Sequence, residues 1–289
     1  MGGLSAILIF PENTLMSRSL HNALTLVTGA GSGIGRATAL LLAARGARVI
    51  PCDRNVDSLQ ETADLMQAAG TPALRLETAD VSDWAAMQAL AVRIEREHGA
   101  LDILVNNAGV GTAGDFLSTP LEDWHWVMGI NLMGVVHGCK AFLPAMVARG
   151  SGHVVNVASA AGYFAAPDMS AYSASKHAVM GLTESLRLEM AAHGIGVSAI
   201  CPGVINTNIV ASTRMHGSKA AAQQKLVGFY QKRNYGPEQV AEGIAEAIVS
   251  NRAVLPVSPE AWAMYAGKRV MPGLLDAAQR SAFVRRLMP

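Results

Sequence analysis

Short apolar runs alternate with longer amphipathic stretches along most of this chain, starting near Leu24. The short runs have the length of strands, and the longer stretches repeat apolar residues at the helical period. Seven runs are predicted as strands: LTLVTG, ARVIPCD, ALRLETAD, LDILVNNAG, GHVVNVAS, IGVSAICPG and AVLPVSP. Because strands that alternate with helices form right-handed βαβ units, the pattern predicts an α/β fold with a parallel sheet and helices on both faces.

Two predicted helices, at residues 121–149 and 171–193, are longer and more apolar than the others. Their apolar residues extend beyond one core-facing stripe, so we expect both helices also to pack against a second copy of the chain. No repeat or Pro/Gly-rich linker divides the 289 residues, which are enough for one large domain. We therefore predict single-domain subunits that form a homodimer or homotetramer.

The first 22 residues are predicted to form a tail outside the domain. Their apolar segment is too short for a membrane span and lacks a basic leader, so neither an anchor nor a secretory signal is expected. Ala6 stands where N-myristoylation requires Ser or Thr. Met16 could serve as the start as well as Met1, because everything that resembles a domain follows it.

Composition argues against several classes of partner. The formal net charge is +1 and charged residues make up 16%, so no global field favours nucleic acid. Cys52, Cys139 and Cys201 lack C-x-x-C spacing, and the eight histidines form no H-x-x-x-H cluster, so neither a disulfide framework nor a metal site is predicted. A reducing cytoplasm is the expected location.

The first predicted strand ends in TGAGSGIG, residues 28–35, and leads directly into a helix. Gly29, Gly33 and Gly35 allow a tight turn and a close approach to a pyrophosphate, which the free amides of the helix N-terminus, around Ser32 and Ile34, can bind. A tight strand-to-helix turn alone would explain the glycines equally well. The second strand, however, ends at Asp53 about 20 residues further on, where a carboxylate can bind an adenosine ribose.

Asp53 and Arg54 pull the cofactor preference in opposite directions. The Arg54 guanidinium could pair with the 2′-phosphate of NADP, whereas Asp53 would repel it. Ser32 also occupies the place in the glycine loop where a basic residue would help to bind that phosphate. We expect NAD to be favoured, with NADP possible.

Tyr172 and Lys176 lie four positions apart in a run of small residues, AYSASKHAVMG. On a helix both side chains face one side, about one turn apart. A neighbouring ammonium favours the phenolate and could bring the tyrosine into acid/base chemistry near neutral pH. A surface tyrosine beside a solvated lysine is the plainer explanation of the pair taken alone.

The glycine loop, NNAG at 106–109, VNVAS ending at Ser159 and YSASK at 172–176 occur in this order, so the chain resembles the short-chain dehydrogenase/reductase family in its single-domain form. Ser159 precedes Tyr172 by thirteen positions, as in that family. The resemblance covers residues 24 to about 258 and implies a Rossmann-type, doubly wound sheet of seven parallel strands in one catalytic domain, residues 23–258. It implies an enzyme that interconverts an alcohol, either secondary or lipophilic primary, with its carbonyl by hydride transfer.

The same resemblance assigns roles to individual residues. Tyr172 would be the general acid/base, Lys176 would lower its pKa and hold the nicotinamide ribose, and Ser159 would bind the substrate oxygen. Asn131 would support a water and proton relay. A strand-end cap for Ser159 and a bond within the helix for Asn131 are the structural alternatives.

Further matches to the family's cofactor contacts follow strand ends. Asp80 and Val81 correspond to the adenine pocket. Asn107, Ala108 and Gly109 correspond to the wall beside the adenosine ribose, and Pro202, Gly203, Val204 and Thr207 to the site of the nicotinamide carboxamide.

Two later segments bear on substrate and location. Residues 208–235 occupy the place of the family's mobile substrate lid, and their Met215, Leu226, Phe229 and Tyr230 suggest a lipophilic substrate; a solvated helical flap is the alternative. Phe116, Tyr163, Phe164 and Met169 are predicted near the pocket mouth.

Residues 259–289 form an amphipathic extension that could cover the cleft or a neighbouring subunit, or contact anionic lipid at a membrane periphery. Together with AICPGVINTNI and NRAVLPVSPEA, this tail is similar to a subgroup whose dehydrogenase domain is sometimes fused to an epoxide-hydrolase-like domain.

Two rivals to the alcohol dehydrogenase hypothesis remain open at this point. An NADPH-dependent 3-oxoacyl reductase would use the same fold and the same acid/base group. A dinucleotide-sensing regulator would keep the glycine loop without needing Ser159, Tyr172 and Lys176.

Overall fold

The sheet at the centre of the fold is parallel throughout. The structure, a computed structural model, describes residues 19–207, 209–232, 235–273 and 277. The strands are β1 (Leu24–Thr28), β2 (Arg48–Asp53), β3 (Glu77–Thr78), β4 (Ile103–Asn106), β5 (Thr112–Ala113), β6 (Gly152–Val157), β7 (Ile195–Pro202), β8 (Arg214–Met215) and β9 (Val254–Val257). Seven of them form one sheet in the order β3-β2-β1-β4-β6-β7-β9, which confirms the prediction of seven parallel strands.

Continuous apolar runs form the middle of this sheet because both of its faces are covered. Every residue of β1, β4, β6 and β7 is buried, as expected for parallel strands between two helical layers. The register pairs Leu26 with Ile50 on one side and with Leu104 on the other. Strand order reverses between β1 and β4, and a crevice is expected at the carboxyl ends of strands at such a switch point.

The helices form two layers, one on each face. They are α1 (Gly33–Ala44), α2 (Val56–Ala68), α3 (Trp84–His98), α4 (Leu121–Met128), α5 (Gly134–Arg149), α6 (Ser170–Ala191), α7 (Ile209–Ser212), α8 (Ser218–Gln231), α9 (Pro237–Val249) and α10 (Pro259–Val270). One core cluster contains Leu42 of α1, Leu59 of α2 and Ile244 of α9. The other contains residues of α3, α5 and α6, with Phe142 and Val179 buried against the opposite face of the sheet.

The predicted helix at 121–149 is continuous, with a π-helical turn at Gly129–Met133 between α4 and α5. Its 29 residues are long and apolar enough to cross a membrane, but half of the most apolar window is buried inside the fold. Core helices of folded domains share this length and composition. Leu121 and Leu188 are exposed on α4 and α6, and packing of these helices against a second subunit stays a prediction.

Both chain ends lie partly outside the described residues. This applies to residues 1–18 of the predicted tail, and to 274–276 and 278–289 of the predicted extension. The described part of the extension forms α10, which begins at Pro259 after the Ser258 side chain caps its first turn. Trp262 and Tyr265 of α10 meet edge to face, 6.2 Å between ring centroids.

Candidate active site

A cavity of about 1060 Å³ opens at the carboxyl ends of the strands. Eighteen of the twenty predicted site residues line it: Gly29, Ser32, Gly33, Ile34, Asp53, Arg54, Asp80, Val81, Asn107, Ala108, Gly109, Ser159, Tyr172, Lys176, Pro202, Gly203, Val204 and Thr207. The two exceptions, Gly35 and Asn131, are buried behind this wall. Folding therefore gathers motifs from seven separate segments of the chain around one space.

The glycine loop packs too tightly for side chains at two positions. Gly29 has φ +65°, and a Cβ there would lie 2.8 Å from the Cα of Ala108. A Cβ at Gly35 would collide with the carbonyl oxygen of Gly29. Gly35 therefore lets α1 begin directly beneath the loop, which leaves the first amides of the helix facing the cavity. A direct contact between Gly35 and the cofactor stays a prediction.

Asn107 fixes the loop from the opposite side. Its side-chain amide donates to the carbonyl oxygens of Thr28 at 2.9 Å and Gly29 at 3.2 Å. The amide thereby ties the end of β4 to the end of β1. Asn107 both lines the cavity and holds the phosphate-binding turn in shape.

Asp53 presents an ordered carboxylate at the second strand end. Its Oδ2 accepts from the Gly31 amide and its Oδ1 from the Asn55 amide, each at 2.9 Å. Arg54 beside it is exposed at the same end of the cavity. The carboxylate of Asp53 and the guanidinium of Arg54, predicted to have opposite effects on cofactor preference, therefore both lie at the predicted ribose site.

Asp80 carries a negative charge near Arg54. Burial alone would raise the pKa of Asp80, but hydrogen bonds from the Ser82 hydroxyl and amide, with the charge of Arg54, outweigh burial and lower that pKa. The Ser82 hydroxyl donates at 2.6 Å. Asp80 is thus held as an acceptor at the predicted adenine end.

The predicted acid/base group lies with its two partners at the other end. Tyr172 and Lys176 project from successive turns of α6, and the Lys176 Nζ lies 5.9 Å from the centre of the Tyr172 ring. Lys176 is almost fully buried and donates to the carbonyl oxygen of Val157 at 2.9 Å. The Ser159 oxygen accepts from the Ala161 amide at 3.1 Å, so Ser159 does cap the short turn after β6 while its hydroxyl also bonds Tyr172.

Burial dominates the titration of this group. It raises the pKa of Tyr172 to about 12, and the hydrogen bond from Ser159 offsets only part of the rise. Burial lowers the pKa of Lys176 to about 8. Desolvation therefore dominates the pKa of Tyr172, and the expectation that Lys176 lowers this pKa stays a prediction.

Asn131 sits in the π-helical turn and is fully buried. Its Oδ1 accepts from the Val110 amide at 2.8 Å, and its Nδ2 donates to the Val110 carbonyl at 3.0 Å and to the Ser175 hydroxyl at 3.1 Å. These bonds reach another loop and another helix, so a bond confined to its own helix is wrong. Asn131 ties the wall of the cavity to α6, and its role in a relay stays a prediction.

The predicted carboxamide site has a partner that the sequence did not indicate. The Val204 amide donates to Oε1 of Glu260, on α10, at 3.1 Å. A Cβ at Gly203 would lie 2.9 Å from the same oxygen, so Gly203 allows the carboxylate to approach the loop. Glu260 lies 56 residues beyond Val204, and only the fold brings them together.

The outer end of the cavity is mostly apolar. Of the predicted lid residues, Met215, Leu226, Phe229 and Tyr230 all line it, and so do Phe164 and Met169. Tyr163 and Phe116 are not among its lining residues: the Tyr163 hydroxyl donates to the carbonyl oxygen of Ala261 at 2.9 Å, and Phe116 packs on Trp124. Met264 of α10 also lines the cavity, so the described part of the extension covers the cleft.

These features fit a dinucleotide. The crowded glycine turn allows a pyrophosphate to approach the amides of α1, and the Asp53 carboxylate can accept from ribose hydroxyls. Among the described residues, no cluster of three or more metal-ligating side chains occurs.

The sequence profile of the short chain dehydrogenase family matches residues 23–217. The chain belongs to this family. It is 44% identical over 267 residues to the "Probable oxidoreductase EphD" of Mycobacterium tuberculosis. The aligned region covers 90% of this chain but only 45% of that protein. This chain thus spans about half the length of that relative. The similarity of this chain to a subgroup with a fused domain stays a prediction.

Two further similar proteins align with this chain over most of the length of both chains. Cyclohexanol dehydrogenase of an Acinetobacter species is 36% identical over 235 residues, 80% of this chain and 89% of that one. A solved short chain dehydrogenase/reductase from Burkholderia phymatum in complex with NAD is 34% identical, with a TM-score of 0.82 over 89% of this chain and 96% of its own. Both proteins belong to the same family as this chain, and the solved one holds NAD.

Proposed function

We propose that this short-chain dehydrogenase interconverts a secondary or lipophilic primary alcohol with its carbonyl, with Tyr172 as the general acid/base. One observation carries the proposal: Ser159, Tyr172 and Lys176 line the same cavity as the glycine loop and Asp53. A dinucleotide bound along the loop would place its reactive ring at the end where these three groups lie. When bound, that cofactor supplies or accepts the hydride.

The chain's own residues move and hold the proton. With its pKa raised to about 12, the Tyr172 phenol is protonated at neutral pH and can donate its proton to a carbonyl oxygen during reduction. In oxidation the phenol must first release its own proton, which the relay proposed for Asn131 would carry away, and the same oxygen then receives the proton of the alcohol. Because the Ser159 oxygen accepts from the Ala161 amide, its hydroxyl proton can be donated to the substrate oxygen where charge develops.

Lys176 is proposed to orient the nicotinamide ribose. Its bond to the Val157 carbonyl uses one of the three donors of an ammonium and fixes the direction of the others. Asn131, through Ser175 and Val110, holds the wall beside Lys176 and is proposed to support a proton relay.

NAD is the proposed cofactor. The Asp53 carboxylate, fixed by two backbone amides, would repel a 2′-phosphate at close range, and Ser32 offers no compensating charge. Arg54 is the feature that would admit NADP.

A lipophilic substrate is proposed from the lining of the outer cavity, where Met215, Leu226 and Phe229 gather. The likeness to a cyclohexanol dehydrogenase supports an alcohol over an acyl thioester, which is the substrate class of the 3-oxoacyl reductase rival. Assembly as a homodimer or homotetramer, in the cytoplasm or at a membrane periphery, is part of this proposal and rests on the sequence alone.

The test is Tyr172→Phe, with Tyr163→Phe as the matched control. Both remove one hydroxyl, but the hydroxyl of Tyr163 bonds the Ala261 carbonyl. A general acid/base contributes roughly 10² to 10⁴ in rate, so Tyr172→Phe is expected to lose that factor in cyclohexanol oxidation while NADH binding, followed by fluorescence, stays nearly unchanged. Undiminished turnover in Tyr172→Phe would refute the proposal and revive the regulator hypothesis.

A further inference from the structure

A two-stranded parallel sheet stands at the outer end of the cavity, apart from the main sheet. It pairs β5 with β8, Thr112 with Arg214 and Ala113 with Met215. The amides of Arg214 and His216 donate to the carbonyl oxygens of Gly111 at 3.2 Å and Ala113 at 2.8 Å. Two residues per strand cannot hold a sheet together by themselves, so other contacts must keep β8 in place.

Successive side chains along β8 point in opposite directions, as strand geometry requires. Met215 lines the cavity. Arg214 and His216, on either side of it, turn away from the cavity and both reach Asp123 of α4.

Asp123 is buried, with 6% of its surface exposed. Its Oδ1 accepts from Arg214 Nη1 and its Oδ2 pairs with His216 Nε2, both at 2.6 Å. The Arg214 guanidinium also stacks over Trp126, 3.8 Å from the ring centre, and Trp126 follows Asp123 by three positions on α4. Charge-assisted bonds of this length, with a cation–π stack, are among the stronger polar contacts.

We propose that Asp123 is a positioning residue which, by clamping Arg214 and His216, holds Met215 against the substrate and thereby sets preference for longer alkyl chains. The inference rests on the proposed function for the identity of the substrate, but not for the clamp itself. When both Arg214 and His216 are held on α4, the side chain of Met215 between them can point only towards the cavity. Loss of the clamp would release β8 from α4 while the cofactor end of the cavity stays intact.

The first test measures the clamp without catalysis. Asp123→Asn is compared with Glu122→Gln, an exposed neighbour on the same helix, by hydrogen exchange of segment 209–231. Loss of a charged hydrogen bond corresponds to roughly a ten- to hundredfold change in a local opening equilibrium, so exchange at Arg214 and His216 should rise by that factor in Asp123→Asn alone. Equal exchange in the two variants overturns the proposal.

The second test measures selectivity as kcat/KM for 2-octanol relative to 2-propanol, with NAD. Asp123→Asn should lower that ratio by about tenfold, through KM for 2-octanol, because alkyl contacts of this size contribute a factor of about 10 to 200. NADH affinity should not change. If exchange rises but the ratio does not, the clamp exists and does not set selectivity, which also overturns the proposal.

A double-mutant cycle shows whether Asp123 acts through Met215. Met215→Ala should produce the same selective loss, and adding Asp123→Asn to it should cost little more. If the selectivity losses of the two variants multiply in the double variant, Asp123 does not act through Met215.

If Asp123→Asn fails to fold, the partners of Asp123 provide the test. Arg214→Lys keeps the charge but not the stack on Trp126, and His216→Gln removes the other partner. Each should lower the 2-octanol to 2-propanol selectivity ratio by less than Asp123→Asn would. Absence of alcohol turnover in the wild type would refute the proposed function, and the exchange test would still decide the clamp.

Discussion

Lys176 provides a quantitative test of how strongly the candidate site is desolvated. Its ammonium is almost fully buried, and burial lowers its pKa from the usual 10.5 to about 8. Below pH 8 both the folded and the unfolded chain carry the charge, and the folded state bears the full desolvation penalty. Between pH 8 and 10.5 the unfolded chain holds the proton longer, so the free energy of unfolding should rise with pH.

The magnitude follows from the two pKa values. One pKa unit corresponds to about 1.4 kcal/mol, so the whole effect is about 3 kcal/mol, of which about 2.5 kcal/mol should develop between pH 7 and 10. Lys176→Met removes the titrating group and the pH dependence with it. The measurement stops at pH 10, because burial raises the pKa of Tyr172 and stability from the buried phenol is lost as the pH rises further.

Urea unfolding of the cofactor-free protein at pH 7, 8, 9 and 10 gives the free energies directly. The difference between wild type and Lys176→Met should increase by about 2.5 kcal/mol in favour of wild type across this range. Lys140→Met, an exposed lysine of α5, is the control and should follow the wild-type curve. Parallel curves for wild type and Lys176→Met would refute the reasoning, since they would mean that Lys176 is solvated in the folded state.

Two further predictions concern the cofactor. Arg54→Ala should leave the NADH dissociation constant within about twofold, because in the proposed function the carboxylate of Asp53 rather than Arg54 binds the ribose. Tighter binding of NADPH than NADH in the wild type, abolished by Arg54→Ala, would contradict the proposed NAD preference. Glu260→Ala should weaken NADH binding by about three- to tenfold, the factor for one lost hydrogen bond at the Val204 amide. Glu260→Gln keeps an acceptor for that amide and should retain most of the wild-type affinity. Equal affinities in all three proteins would show that α10 does not hold this loop.

Local sequence patterns determined the sheet and most of the site because their physical causes are local. Short apolar runs predicted all seven strands of the main sheet, although only Glu77–Thr78 of the run ALRLETAD pairs as β3. The residues after these strands line the cavity. The carboxyl ends of parallel strands share one edge, so the order of motifs along the chain was enough to place Gly29, Asp53 and Tyr172 around one crevice.

Only the tertiary structure decided contacts whose partners are far apart in sequence. Nothing near Glu260 or Asp123 in the chain distinguishes them from other carboxylates, yet the fold brings one to the Val204 amide and the other to Arg214 and His216. The pKa of Tyr172 was likewise undetermined, because the four-residue spacing to Lys176 predicts attraction while burial is a property of the whole packed chain. Spacing along the chain fixes which groups can meet, and desolvation and long-range pairing, which depend on every layer around them, fix what those groups do.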